Sequence, residues 1–334
     1  MPQKGLFPPI EPYNRGYLKR GKHKIYFEES GNPKGLPVLY FHGGPGAGCS
    51  PKDRRFFNPK KFRIILFDQR GCGRSKPIAR IKENTTWHLI QDAKNILDKL
   101  NINKVLVFGG SWGSTMALIF TIIHPNCVSG IIARGIFLGE RSEIDYSENG
   151  LIAQHFPQAW ERFTSLLSAD EKRDPLASYY KKLFDESTKS RKLKKLFYEW
   201  ARFEDVHLKL LTPSQKNLDK YYAKADYKIS KAISTLEIYY LYNNCFLRDG
   251  YITKNICRIP RDIPISLVHG KYDVICPPKS AYKLYRALSR HNVQLHWTHA
   301  GHSKSDIETE KKLLSEVKRL YKEIKEKDKE KDIC

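Results

Sequence analysis

The chain reads as a doubly wound, mostly parallel α/β sheet interrupted by an inserted helical domain. Three observations predict this. Short apolar runs alternate with helix-spaced segments over residues 1–138, the mark of repeated strand–helix units. From residue 139 to about 255 no strand pattern appears, and aromatics and lysines recur at helical spacing. The strand pattern then resumes, so residues 1–138 and 256–334 are expected to form one core and 139–255 a helical cap over one end of the sheet.

The elements follow in order. Residues 24–28 (KIYFE) alternate like a half-buried strand, and the glycines and proline of 31–35 (GNPKG) mark a turn. Residues 37–41 (PVLYF) and 62–67 (FRIILF) are short apolar runs, the kind found in buried parallel strands. Leu89, Ile90, Ala93, Ile96, Leu97 and Leu100 share one helical face, with Thr85 or Thr86 as the N-cap. A strand over 104–108, a helix over 115–124 and a strand over 129–133 follow. Beyond the insertion come a strand at 263–268, a helix at 280–289, a strand at 293–298 and a final helix from about Asp306. No internal repeat is evident.

Composition narrows the class. With 334 residues, 40% hydrophobic and 12% aromatic, the chain can bury a substantial core. No apolar run approaches the length of a membrane span, and the N-terminus has prolines and charges where an export signal needs an apolar stretch. A soluble, cytoplasmic protein is expected, as monomer or homo-oligomer. The seven cysteines are odd in number and form no C-x-x-C, against a disulfide framework or a thiolate zinc site. Cys334 is the last residue given rather than fourth from the end, so no prenylation box is expected. The formal charge is +23, yet lysines are spread along the chain and the densest run, 322–332, alternates in sign. That pattern reads as a solvated helix end, and no specific nucleic-acid partner is expected.

Chemistry concentrates in four loops. Gly109-Gly-Ser-Trp-Gly113 is a G-x-S-x-G between strand and helix. Its small residues permit a tight turn that presents Ser111 as a nucleophile at the top of the sheet. A serine needs a base, the base needs an orienting carboxylate, and the oxyanion needs donors. Asp273 follows one strand end and His302 the next, giving the chain order Ser, Asp, His. His42-Gly-Gly-Pro-Gly46 is a second glycine-rich loop, whose Gly44 N–H with that of Trp112 is the expected oxyanion hole. It lacks the Lys-Ser/Thr of a phosphate loop. His296 and His299 near His302 suggest a metal, but strand alternation turns them apart. Neither metal nor organic cofactor is expected.

These strings resemble a known family. Residues 42–50 (HGGPGAGCS), 68–75 (DQRGCGRS), 84–87 (NTTW), 109–115 (GGSWGST), 134–137 (RGIF) and 270–277 (GKYDVICP) are similar to those of the prolyl aminopeptidases. These are serine peptidases of the α/β-hydrolase fold with a helical cap, and the resemblance spans residues 8–303. It implies release of an N-terminal residue, preferably proline, from short peptides with a free N-terminus. It also implies that cap glutamates hold the α-amino group, with Glu204 and Glu237 at the matching positions. Arg134 and Phe137 correspond to further pocket residues, and Tyr146 aligns loosely with a pocket tyrosine. Phe203 stands where the family has tryptophan. Cys276, just after Asp273, is expected to be where thiol reagents block the site. A carboxylesterase on the same fold is the rival reading.

Overall fold

The computed structural model describes residues 5–211 and 214–333; Cys334 lies outside them. Strands β1 (Asn14–Arg20), β2 (His23–Gly31), β3 (Leu36–Phe41) and β4 (Phe62–Phe67) precede helix α1 (Thr86–Lys99). Then come β5 (Val105–Ser111), α2 (Trp112–Ile123) and β6 (Val128–Ile136). The insertion follows as α3 (Arg141–Glu148), α4 (Pro157–Phe163), α5 (Pro175–Phe184), α6 (Ser190–His207), α7 (Gln215–Tyr222), α8 (Tyr227–Tyr242) and α9 (Tyr251–Lys254). The core closes with β7 (Ile265–Gly270), α10 (Pro278–Ala287), β8 (Val293–Thr298) and α11 (Ile307–Ile333). Among the described residues no strand falls between β6 and β7.

The eight strands form one sheet in the order β1-β2-β4-β3-β5-β6-β7-β8. β1 and β2, and β2 and β4, pair antiparallel, while β3 to β8 and β4 with β3 run parallel. After β3 the chain steps outward to β4 and then returns past β3 to β5. The crevice beyond the carboxyl ends of β3 and β5 is therefore a topological switch point, where open α/β sheets bind ligands.

Alternation along the central strands divides the core. Val105 and Val107 of β5 join the apolar cluster under α1 and α2, while Leu106 and Phe108 join Leu313, Val317 and Leu320 of α11 on the opposite face. The same period places Leu39 and Phe41 of β3 on one face and Val38 and Tyr40 on the other. Both faces are thus covered, which accounts for the short apolar runs. From Trp112 to Ile122 every residue of α2 is buried, as for a helix enclosed on all sides.

Two departures from expectation are local. β1 is not legible in the sequence, because NRGYLKR is largely exposed on both faces of an edge strand and carries no apolar alternation. Thr85 is the backbone N-cap of α1, but its hydroxyl pairs with His88 Nδ1 at 2.8 Å. The Thr86 hydroxyl instead donates to the carbonyl of Cys245, tying α1 to the end of the insertion.

Candidate active site

Ser111 ends β5 and α2 starts at the next residue, so the strand turns directly into the helix. That turn forces Ser111 to φ 57°, ψ −130°, a region costly for a residue with a side chain. The turn also brings the next strand's backbone close: a Cβ on Gly113 would stand 2.1 Å from the carbonyl oxygen of Phe41. Glycine alone fits there. The result holds Ser111 at the rim of a cavity of about 340 Å³. His302 lines the same cavity.

Behind His302, Nδ1 lies 2.8 Å from Asp273 Oδ2. Asp273 Oδ1 accepts from the amides of Ile275 at 3.1 Å and Cys276 at 2.9 Å. Burial alone would raise the Asp273 carboxyl, yet His302, His269 and the Cys276 amide together hold it below its ordinary value. It is therefore an anion fixed under the imidazole. His269 supports the same loop, accepting from the Ile136 amide through Nδ1 at 2.9 Å and facing the Cys276 carbonyl through Nε2 at 2.8 Å. The amide must donate, so Nδ1 is bare and Nε2 carries the proton. Burial keeps that ring neutral. Nothing in the chain order marks His269.

The glycine loop after β3 closes the other side of Ser111. A Cβ on Gly43 would lie 3.4 Å from Ser111 Cβ, so the loop runs beside the serine with little room for a side chain. Gly44 has φ 106° and lines the cavity. His42 accepts from the Gln69 amide at 2.9 Å through Nε2, which leaves Nδ1 to donate to the Gly43 carbonyl at 2.8 Å. Gln69 also accepts from the Trp112 indole at 2.9 Å. The loop, the 68–75 segment and the start of α2 are thereby one hydrogen-bonded unit. The Trp112 N–H opens α2, where the first amides have no partner inside the helix.

The insertion contributes acid. Glu204 of α6 and Glu237 of α8 both line the cavity. Glu237 is buried and accepts from the Trp200 indole at 2.7 Å. Burial, with the neighbouring Glu204 charge, pushes its carboxyl well up. Burial and the charge of Asp205 raise Glu204 to about 7. A third carboxyl, Glu148 at the end of α3, is buried beside them, and burial and Glu204 raise it too. Among the described residues its Oε2 has no hydrogen-bond partner. Three such groups cannot all ionise near neutral pH unless a cation joins them. No motif flags Glu148 or Asp205.

Other expected residues are placed differently. Arg134 reaches the cavity, but its guanidinium lies over Gly110 and donates to the carbonyl of His302. It braces the imidazole's own backbone. Phe137 and Tyr146 are half-buried against the main apolar core rather than on the cavity wall. Tyr146 stays close enough to Asp273 for that charge, with burial, to raise its hydroxyl. Phe203 stacks on Phe163 at 4.2 Å between centroids. The expectation for Cys276 is corrected. Its side chain is buried and burial pushes the thiol far up, so it is a poor target for thiol reagents. His296 and His299 face Glu316 and Glu308 of α11, each at 3.2 Å, away from the cavity.

Comparison with known proteins accords with this arrangement. Residues 37–305 match the family described as the alpha/beta hydrolase fold. The chain is 40% identical over 304 residues to a proline iminopeptidase of Arabidopsis thaliana, covering 90% of this chain and 78% of that one. It is 40% identical over 301 residues to the proline iminopeptidase of Neisseria meningitidis serogroup B, covering 89% and 92%. Among solved structures, a proline iminopeptidase-related protein from Thermus thermophilus superposes with a TM-score of 0.61 at 19% identity, covering 94% of this chain and 99% of that one. An esterase from Thermogutta terrifontis gives 0.60 at 18% identity, covering 93% and 99%, a likeness of fold alone. With identity at this level along most of its length, the chain belongs to the proline iminopeptidase family of the α/β-hydrolase fold.

Proposed function

We propose that the protein is a prolyl aminopeptidase that releases N-terminal proline from short peptides through an acyl-enzyme. Family membership supports the activity. The observation that carries the choice of substrate is the pair Glu204 and Glu237 on the wall of the cavity that holds Ser111 and His302. A cationic α-amino group entering there meets carboxyls that lack a countercharge, and anchoring it sets the first peptide carbonyl toward Ser111.

In this reading Ser111 attacks the carbonyl carbon while His302 takes the hydroxyl proton. Asp273 fixes the imidazole tautomer and stabilises the imidazolium. The N–H groups of Gly44 and Trp112 receive the oxyanion. His302 then protonates the leaving nitrogen, the C–N bond breaks, and water, deprotonated by His302, releases proline. Arg134 and Phe137 support the pocket, with Tyr146 behind them, and residues 139–255 act as the cap. The free cysteines suit a reducing cytoplasm, and among the described residues no helix is long and apolar enough to cross a membrane.

A prolyl arylamide and its N-acetylated form separate this from esterase chemistry. The blocked substrate should lose nearly all turnover, and Glu204→Gln should raise KM for the free one at least tenfold, about 1.4 kcal/mol. Equal rates on both substrates, or an unchanged KM in the mutant, would remove the amine-anchor reading.

A further inference from the structure

A second cavity, of about 640 Å³, lies outside the active site and is lined by Lys22, Lys24, Lys76, Lys228 and Lys231. Tyr227, Pro77 and Ile78 complete its wall. No carboxylate lines it, and among the described residues none of the five lysines is in an ion pair. A sixth cation, Lys194 Nζ, stands 5.9 Å from the Tyr227 ring.

The convergence is imposed by the backbone. Lys24 and Lys76 exchange two hydrogen bonds, at 2.8 and 2.9 Å, in an isolated antiparallel bridge. Directly opposed residues of such a bridge point to the same face, and like charges there repel. Lys22 precedes β2, in its hairpin with β1, and Lys228 and Lys231 belong to the first turns of α8. The α8 N-terminus itself is capped by Asp226, which accepts from the Lys228 amide at 2.8 Å, so among the described residues it is the lysine side chains rather than the helix end that lack an anionic partner. Three of the lysines therefore come from the core (Lys24 in β2, Lys22 in the turn before it and Lys76 in the segment after β4) and two from the insertion, and their mutual repulsion acts across the boundary between the two.

We propose that this cavity is a binding site for a small polyphosphorylated anion, which holds the insertion against the sheet by bridging Lys24 and Lys76 to Lys228 and Lys231. Contiguous phosphates match the site because they offer several closely spaced negative charges to lysines from two walls, and lysine suits phosphate as a point charge. The chemistry has two sources: a free phosphate chain, or the triphosphate of a nucleotide whose base rests on the part-exposed edge of Tyr227. The site is independent of the peptidase reading, since none of these residues lines the catalytic cavity.

The test is calorimetric titration of the full chain with tripolyphosphate and, separately, with ATP, in magnesium-free buffer. One tripolyphosphate should bind per chain. Lys24→Gln/Lys76→Gln should weaken it by about tenfold or more, whereas the charge-matched Lys322→Gln/Lys329→Gln in α11 should change it by less than about twofold. Lys228→Gln/Lys231→Gln tests the opposite wall should the first pair fail to fold, and melting temperature and arylamidase activity report folding in each. Tighter binding of ATP than of tripolyphosphate assigns the nucleotide source, and binding no tighter than tripolyphosphate assigns the free chain. Equal weakening in the pocket and α11 variants, or several ions bound per chain, would mean diffuse attraction to a cationic surface and overturns the site.

Discussion

At the residue scale the chemistry turns on how two carboxyl types are treated. Asp273 is held ionised by His302, His269 and backbone amides despite its burial. Asp273→Asn should leave the fold intact while cutting kcat by about three to four orders of magnitude, because the imidazole loses its anion and its fixed tautomer. Near-normal turnover in that mutant would exclude Asp273 as the partner. Glu204 is treated in the opposite way, raised to about 7 by burial and Asp205. Below that pH it is protonated in the free enzyme and attracts a cationic amine less, so KM should rise as pH falls through about 7. Above the amine's own pKa, about 8 in ordinary peptides, KM should rise again. The acid-side limb belongs to the coupled carboxyls as a set, and in Glu204→Gln it should shift or vanish. A limb unmoved in that mutant would assign it to another group. Ser111, Asp273 and His302 are legible in the sequence because order along the chain and strand ends locate them. Glu148 is not, since a buried carboxyl on a short helix has no sequence signature apart from its neighbours in space.

At the element scale, α6 and α8 carry Glu204 and Glu237, the proposed amine anchors, and the Trp200 indole on α6 donates to Glu237 on α8. Trp200→Phe keeps the ring packing against Phe163 and Tyr179 but removes the donor. A buried acceptor left unpaired costs about 1–3 kcal/mol, so the melting temperature should drop and KM should rise with kcat little changed. A fall in kcat alone, with KM intact, would place Glu237 in the chemistry rather than in amine binding. The helices of the insertion are legible as periodic aromatic and lysine segments, though not which faces meet. The apolar period starts α2 three residues late, because a serine, tryptophan and glycine at a sharp turn look like loop until the strand is seen to run into them.

At the scale of the molecule, the +23 charge sets a background of self-repulsion. The range of that repulsion shrinks from about 30 Å at 0.01 M salt to about 8 Å at 0.15 M. The melting temperature should therefore climb over that interval. A decline would mean that attractive ion pairs outweigh the excess lysines. The doubly wound core is legible because both faces of the sheet are buried and leave short apolar runs in the sequence. The unpaired lysine cavity is not, because its members are separated by up to about two hundred residues and meet only through the bridge at Lys24 and Lys76.

The insertion leaves the sheet after β6 and returns at β7, and these two strands are direct parallel neighbours. Because that pairing is parallel, the chain leaves from the carboxyl end of β6 and must cross back to the amino end of β7, so the insertion is an elaborated crossover connection. Ser111 and the proposed oxyanion donors Gly44 and Trp112 precede that point, and Asp273 and His302 follow it, while the proposed amine anchors Glu204 and Glu237 fall inside. On the proposed roles, reaction and address are written in separate blocks of the chain, so a lineage could redraft which peptide ends are admitted without rewriting how the bond is cut.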